Sequence, residues 1–350
     1  MRFQTLILIA SIAAIGLIAT YVPIYISPTT PTFSTSIDYL KAVGPVQAED
    51  TVWQASQSDH PLVDGHMYMH EVGAYIFDTY GPTGVGYCRT YFDHGCYNGF
   101  MLQAHSLNLV NAALDACNKL DLYALGGCIH GAGHQALVLN NYDVPKALDM
   151  CSMFAHAYAA GTSTEGIITA CSFGVFMENA EPGMMESMAQ DALMGNMSMS
   201  GMNMGSSTPV PIAHQAWALK VGDMSFPCDS DLVASQYRAG CWRMQTVVLA
   251  STMSSAKIVG LCNALTDQLQ KSSCFVGFAD GSVSGPQMNV KNIFSACGSA
   301  DSAYWKNTCL IDFVQRARLN GYDNTVPDEI CPQVDAADRA ACESTGLNSA

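Results

Sequence analysis

Two stretches of the sequence each carry a pair of histidines four residues apart. The pair in GHMYMHEVG is His66 and His70, and the pair in CIHGAGHQAL is His130 and His134. If each stretch is helical, the two imidazoles of a pair lie one turn apart on the same face. Imidazole nitrogens are ligands for zinc and copper. The sequence therefore predicts either a shared transition-metal site with four imidazoles or polar groups packed in a helix interface.

Other polar residues could extend such a site. Further imidazole ligands could come from His94, His105, His156 and His214. An acid or base could come from Glu71, Glu178 or Asp280, although carboxylates at helix ends more often cap the helix or contact solvent. The H-E-x-x-H motif of metalloproteases is absent, because Ala74 stands where the second histidine would be.

A methionine-rich segment is the least ordinary composition in the chain. Soft thioether sulfur prefers Cu(I), and closely spaced methionines let one segment gather several around an ion. The segment resembles the methionine-rich motifs of extracytoplasmic copper-resistance proteins and copper oxidases, which implies copper capture. An adaptable contact surface or an oxidant sink remain alternatives. Eight of the 19 methionines lie here: Met184, Met185, Met188, Met194, Met197, Met199, Met202 and Met204.

The 14 cysteines group into seven successive pairs, which predicts disulfides and an oxidising compartment. No C-x-x-C occurs, which excludes a thioredoxin-like redox motif, a zinc ribbon and haem c attachment. The expected pairs are Cys88 with Cys96, Cys117 with Cys128, Cys151 with Cys171, Cys228 with Cys241, Cys262 with Cys274, Cys297 with Cys309, and Cys331 with Cys342.

The same cysteines reveal an internal repeat. The first members of the last four pairs are 34, 35 and 34 residues apart, and Cys117 to Cys151 is again 34. Cys151 to Cys228 spans 77 residues, which predicts an insertion of 43. A glycine recurs three residues after the second cysteine in CYNGF, CIHGA, CSFGV and CFVGF, which predicts close packing of helices at one repeated position.

Each unit reads as a helix, a turn and a second helix opened by the second cysteine, with no sustained β alternation. The predicted fold is all-α: a solenoid-like array of α/α hairpins with about one disulfide per hairpin. Period, helix content and paired cysteines resemble the disulfide-stapled, cysteine-rich relatives of tetratricopeptide repeats over about residues 85 to 345. That resemblance implies a concave surface that binds a protein or peptide partner.

The N-terminal part predicts a membrane attachment. Leu6 to Ile26 is 21 residues without a charge, long enough to span a bilayer, and Arg2 favours a cytoplasmic N-terminus. We expect a signal anchor at residues 1–27, a Pro/Ser/Thr-rich tether at 28–58, and a cysteine-rich domain at 59–350 with the methionine-rich insertion at about 181–212. The bulk of the chain should lie outside the cytoplasm, at the cell membrane.

The formal net charge of −15 makes nucleic acid and anionic lipid headgroups poor partners. No G-x-S-x-G, P-loop or dinucleotide-binding motif is present, so enzymatic activity has little support. The favoured hypothesis is a membrane-anchored, extracytoplasmic metal-binding protein, with copper first and zinc possible. A cell-envelope interaction scaffold without metal and a metal-dependent enzyme with Glu71 as base are the alternatives.

Overall fold

A computed structural model describes residues 37–56, 65–158, 163–180, 217, 220, 222–284, 290–320, 322 and 325–344. The predicted anchor at 1–27, the methionine-rich insertion at 181–212 and His214 lie outside the described residues. No helix within the described ranges is both long enough and apolar enough to cross a bilayer.

The described residues are helical, apart from short irregular segments and one isolated β-bridge between Lys220 and Asp223. The prediction of an all-α fold is confirmed for them. The α-helices are α1 Ile37–Val43, α2 Pro45–Ser56, α3 Gly65–Tyr80, α4 Tyr91–Leu102, α5 Leu107–Cys117, α6 Leu122–Leu139, α7 Val144–Tyr158, α8 Thr164–Ala180, α9 Arg238–Thr252, α10 Ser255–Ala264, α11 Gln268–Ser284, α12 Val290–Cys297, α13 Ala303–Leu319, α14 Thr325–Ile330 and α15 Arg339–Ser344. Short 3₁₀ helices cover Gly81–Tyr87, Ser235–Tyr237 and Cys331–Gln333.

Seven disulfides join the cysteines that the spacing paired. Four of the disulfides join a helix to the next one along the chain: α5 to α6, α7 to α8, α10 to α11, and α12 to α13. The sequence predicted that the second cysteine of each pair is the first residue of a helix, and this prediction is wrong. Cys128, Cys274 and Cys309 are each the seventh residue of their helix. Two of these helices start earlier because Asp121 and Ser302 accept backbone N–H groups as N-caps.

The longer helices pack in a continuous order that returns to its start. Helix α4 packs against α3 and α6, then α6 against α8, α8 against α9, α9 against α11, and α11 against α13. Helix α13 in turn contacts α4. Six helices, α4, α6, α8, α9, α11 and α13, therefore form a closed circuit within the unit that begins at Thr35.

The predicted tether is too long, because residues 37–56 form helices α1 and α2. Leu40, Ala48 and Val52 are buried, and α2 packs against α3. Gly44 ends α1 with a φ of 84°, a left-handed value that glycine adopts readily. This break divides the segment into two short helices, so no long apolar period is visible in the sequence. The proposed helix start at Asp59 to Pro61 lies outside the described residues.

Glu49 of α2 is a buried carboxyl group beside the Cys88–Cys96 disulfide. It is fully buried, its Oε2 accepts the backbone N–H of Arg89 at 2.9 Å, and its Oε1 has no hydrogen-bond partner. Burial holds the pKa of this carboxyl well above its usual value. The protonated form of Glu49 is therefore favoured by folding.

The stability of the folded protein should consequently depend on the protonation of Glu49. A raised folded-state pKa gives a contribution that is complete below the unfolded pKa and is lost as pH rises through the folded pKa. We expect Glu49→Gln to increase the free energy of unfolding at pH 8 by ~1 kcal/mol or more, since a tenfold change in proton affinity corresponds to about 1.4 kcal/mol. Urea unfolding at pH 5 and pH 8 measures this, with the exposed Glu329→Gln as control. Equal pH dependence in the wild type and Glu49→Gln would show that Glu49 is not responsible.

Candidate metal centre

The repeated glycines allow the inner helices to approach each other at backbone level. A Cβ added to Gly99 would lie 2.0 Å from the His70 carbonyl oxygen, and one added to Gly174 would lie 2.1 Å from that of His130. Gly277 has the same relation to another backbone carbonyl, at 2.0 Å. The predicted role of these glycines in close helix packing is confirmed. The glycines thus fix how α3, α4, α6 and α8 sit beside one another, and these helices carry both histidine pairs.

The first histidine pair lies on α3 and is oriented by a backbone carbonyl. The Nε2 atoms of His66 and His70 are 2.9 Å apart, and Nδ1 of His66 is 2.6 Å from the carbonyl oxygen of Phe92. A carbonyl can only accept, so Nδ1 of His66 carries a proton. In the neutral imidazole, Nε2 of His66 then has a free lone pair and accepts from Nε2–H of His70.

The second histidine pair lies on α6 and is oriented by a carboxylate. The Nε2 atoms of His130 and His134 are 3.1 Å apart, and Nδ1 of His134 donates to Oε2 of Glu178 at 3.2 Å. The other carboxylate oxygen of Glu178 accepts the hydroxyl of Tyr142 at 3.1 Å. The outcome matches the first pair: one member presents an Nε2 lone pair, and its neighbour donates to it. An imidazole fixed through Nδ1 by a carbonyl or carboxylate is the usual arrangement around metal ions.

Burial favours the neutral form of His66, His70 and His130, which is the form that binds a metal ion. It lowers the pKa of His66, although the Phe92 carbonyl opposes the shift. Burial, reinforced by His66, holds the pKa of His70 well below its usual value. Burial, reinforced by His134, does the same to the pKa of His130.

Both histidine pairs lie on helices that pack against α4. After burial, repulsion from His134 is among the causes that lower the pKa of both His66 and His70. His130 also lowers the pKa of His70. The imidazoles of α3 and α6 therefore influence each other's protonation across α4, which packs against both helices.

Each pair is nevertheless a separate set of two nitrogens. Among the described residues, one group of three His, Cys, Asp or Glu side chains has potential ligand atoms within 4.8 Å of one another, and it consists of Glu49, Cys88 and Cys96. Those cysteines share a disulfide, so this group offers no thiolate to a metal ion. A metal ion bound to either histidine pair would need its remaining ligands from elsewhere.

A partly buried network of four charged side chains adjoins the histidines. Arg316 of α13 contacts Asp93 of α4 at 2.5 Å and Asp280 of α11 at 2.9 Å. Arg243 of α9 contacts the other oxygen of Asp280 at 2.9 Å and lies 4.0 Å from the ring centroid of Phe173. Burial alone would raise the pKa of Asp93, but the two guanidinium groups hold it below its usual value. The Phe173 ring in turn lies 4.6 Å from that of His130, which links the network to the second pair.

Backbone strain is concentrated where the network meets the first pair. Phe92, Asp93 and His94 have φ values of 49°, 49° and 66°, in the left-handed region that non-glycine residues rarely adopt. Such conformations cost on the order of 1–3 kcal/mol each and persist where surrounding contacts impose them. Here they place the Phe92 carbonyl on His66 and the Asp93 carboxylate on Arg316.

The other predicted residues divide between this interior and the surface. His94 lies against Tyr123, with ring centroids 4.3 Å apart, and burial lowers its pKa to about 4. His105 and His156 are exposed, far more so than the paired histidines. Glu178 and Asp280 are 1% and 7% exposed and belong to the interior, so the expectation that they cap helices or contact solvent is wrong. Burial raises the pKa of Glu71 to about 7.

Three residues of the interior were not anticipated from the sequence: Asp93, Arg243 and Arg316. Arg243 had one available signal, since it stands two residues after Cys241, the offset at which His130 follows Cys128. Asp93 and Arg316 had none, because their contact joins positions 223 residues apart. The methionines of the insertion lie outside the described residues.

Comparison with family models, with curated protein sequences and with solved structures finds no match for this chain. Its function must therefore be argued from the side chains themselves.

Proposed function

We propose that this protein is a membrane-anchored, extracytoplasmic metal-binding protein and that copper is its favoured ion. One observation carries the proposal: two helical histidine pairs each bring their Nε2 atoms within about hydrogen-bonding distance, at 2.9 and 3.1 Å. In each pair one imidazole is fixed through Nδ1. That leaves Nε2, the atom facing its partner, available to a metal ion.

The separations suit two ligands on one ion. With metal–nitrogen bonds of about 2.0–2.1 Å, two nitrogens lie about 2.9 Å apart at a right angle and about 3.3 Å apart at a tetrahedral angle. The 2.9 Å of the first pair equals the right-angle value, which would suit neighbouring ligands of square-planar Cu(II), and the 3.1 Å of the second pair lies midway between the two values. For both imidazoles of a pair to coordinate through Nε2, the proton of the donating imidazole would move from its Nε2 to its own Nδ1, which has no hydrogen-bond partner in His70 or His130.

A buried amide also supports a bound polar species in this interior. Asn98 of α4 is 1% exposed, and neither atom of its amide has a hydrogen-bond partner in the protein. The backbone contacts of Gly99 with His70 and of Gly131 with Asn98 place it on the helix between the two pairs. An unpaired buried amide costs on the order of 1–3 kcal/mol, a cost that a water or ligand bound near the metal would remove.

The remaining parts of the proposal concern delivery. The methionine-rich insertion would capture soft Cu(I), and the imidazole pairs would hold Cu(II) or zinc. Residues 1–27 would keep the protein on the outer face of the membrane. The helical hairpins would be repeats of one disulfide-stapled unit, similar to the cysteine-rich relatives of tetratricopeptide repeats.

Metal-dependent catalysis is a second candidate, favoured because each histidine pair supplies two nitrogen ligands and so leaves further coordination positions for other groups. A catalytic metal site keeps at least one coordination position open for water or substrate. Asp312, whose pKa burial raises to about 7, is an ionisable group near the charged network. An enzyme of this kind would bind metal as the first proposal requires and would in addition turn over a substrate.

The test is the metal content of the oxidised full-length chain after exposure to Cu(I), Cu(II) or Zn(II) and exhaustive dialysis. We expect stoichiometric copper in the wild type and loss of bound metal when all four paired histidines are replaced by glutamine. The matched control is His105→Gln/His156→Gln, which removes two exposed imidazoles and should change nothing.

Deletion of residues 184–204 separates the two parts of the proposal. Loss of Cu(I) uptake with retained Cu(II) binding would support the insertion as the capture segment, whereas unchanged Cu(I) uptake would rule it out. Absence of retained metal in the wild type would contradict the whole proposal and favour the interaction scaffold.

A further inference from the structure

We propose that Arg316 is a positioning residue for the His66/His70 pair, acting through Asp93 and the left-handed segment 92–94. The inference rests on the proposed metal-binding function and adds a residue from the far end of the chain to that site. No part of Arg316 needs to touch the metal ion. Its role is to hold the backbone carbonyl that orients His66.

The path from Arg316 to His66 consists of two contacts joined by one peptide unit. Nη1 of Arg316 donates to Oδ1 of Asp93 at 2.5 Å. The residue before Asp93 is Phe92, whose carbonyl oxygen accepts Nδ1–H of His66 at 2.6 Å. A shift of the Asp93 backbone therefore moves the acceptor that fixes the tautomer and ring orientation of His66.

The strain of this segment explains why it needs an anchor. Three consecutive non-glycine residues hold left-handed φ values, and relaxation to ordinary helical values would rotate the Phe92 carbonyl away from α3. Within the charged network, Arg316 is the guanidinium nearest Asp93, because the closest approach of Arg243 to Asp93 is 4.0 Å. Loss of Arg316 would leave Asp93 with this weaker contact alone.

The second histidine pair provides an internal comparison. His134 is oriented by Glu178 of α8, and that contact does not pass through segment 92–94. A change at Arg316 should consequently weaken metal binding at the first pair far more than at the second, which the network reaches through Arg243 and the Phe173 ring. A general loss of folding would affect both.

The experiment uses two backgrounds of the full-length chain. His130→Gln/His134→Gln leaves the first pair alone, and His66→Gln/His70→Gln leaves the second pair alone. Arg316→Met is introduced into each, and Cu(II) affinity is measured by competition with a chelator, together with the electron paramagnetic resonance spectrum. We expect a 10- to 100-fold loss of affinity and an altered spectrum in the first background, as for other groups that orient metal-binding histidines. The second background should change less than twofold.

Three further variants make the result specific. Arg316→Lys keeps the charge and should restore part of the affinity. Arg318→Met changes an arginine on the same helix that donates to the Glu343 carbonyl, and it should have no effect. Asp93→Asn keeps the size of the side chain and an oxygen that can accept from Arg316. It should weaken copper binding at the first pair only, and by less than Arg316→Met. This variant tests the proposal even if Arg316→Met folds poorly.

Each outcome decides a different claim. Equal losses in both backgrounds, or no loss in the first, would overturn the role of Arg316 while metal binding stands. If the first background binds no Cu(II) with Arg316 intact, the metal proposal fails for that pair, and the positioning role falls with it.

Discussion

Replacing Gly174 with alanine is expected to destabilise the folded domain by about 3 kcal/mol, because overpacking a close helix contact forces the backbones apart. The added Cβ would lie 2.1 Å from the His130 carbonyl oxygen and 3.1 Å from the His134 backbone nitrogen. Neither atom belongs to a flexible side chain that could move aside. Since both belong to the second histidine pair, Gly174→Ala should also weaken metal binding there.

Gly126 of α6 is the matched control for this substitution. Its added Cβ would meet nothing within 4 Å, and it lies within the same helix as the second pair. Gly126→Ala should stabilise the protein by roughly 0.5–1 kcal/mol, the intrinsic preference of a helix for alanine. Chemical unfolding of both variants gives the comparison. Similar free energies of unfolding for Gly174→Ala and Gly126→Ala would show that the helix contact at Gly174 is looser than described.

Replacing Glu178 with glutamine is expected to lower the metal affinity of the His130/His134 pair by 10- to 100-fold. The carboxylate accepts Nδ1–H of His134 and makes the opposite nitrogen a better electron donor. Glutamine can keep a hydrogen bond but not the negative charge. The measurement is Cu(II) competition in the His66→Gln/His70→Gln background, where only the second pair remains.

Glu71→Gln is the control for Glu178→Gln, because it removes a carboxylate that is adjacent to a paired histidine in the sequence. Glu71 follows His70 directly and was the base in the metal-dependent-enzyme alternative, yet the carboxylate that contacts a paired imidazole among the described residues is Glu178. Glu71→Gln should leave the affinity of the second pair unchanged. A loss with Glu71→Gln equal to that with Glu178→Gln would contradict the assignment of Glu178 as the orienting group.

The part of the site that could be predicted from sequence is the part that local geometry determines. Spacing of four residues on a helix places two imidazoles on one face, and both pairs behave so. The repeated glycine predicted the close approach of helices for a similar reason, because a side chain at that position would collide with the backbone of the neighbouring helix. The cysteine spacing likewise predicted the disulfide partners.

The rest depends on contacts that no local pattern encodes. The Asp93–Arg316 ion pair joins two helices that are far apart in the chain. The left-handed conformation at Phe92, Asp93 and His94 adjoins that ion pair, and nothing in the letters YFDHG marks it. Helices α1 and α2 were missed because their buried residues fall in two short segments, each below the length at which an apolar period can be recognised.

The contact between α4 and α13, which closes the circuit of six helices, determines when the first histidine pair is completed during synthesis. In an open row of hairpins each unit depends only on its neighbours and can form as soon as it leaves the ribosome. Here all four paired histidines are translated by residue 134, whereas Arg316 follows much later. A nascent or truncated chain would therefore display the imidazoles of α3 without the guanidinium that fixes them. Tight capture of metal at this pair would be reserved for chains that have been completed, and fragments would bind it weakly.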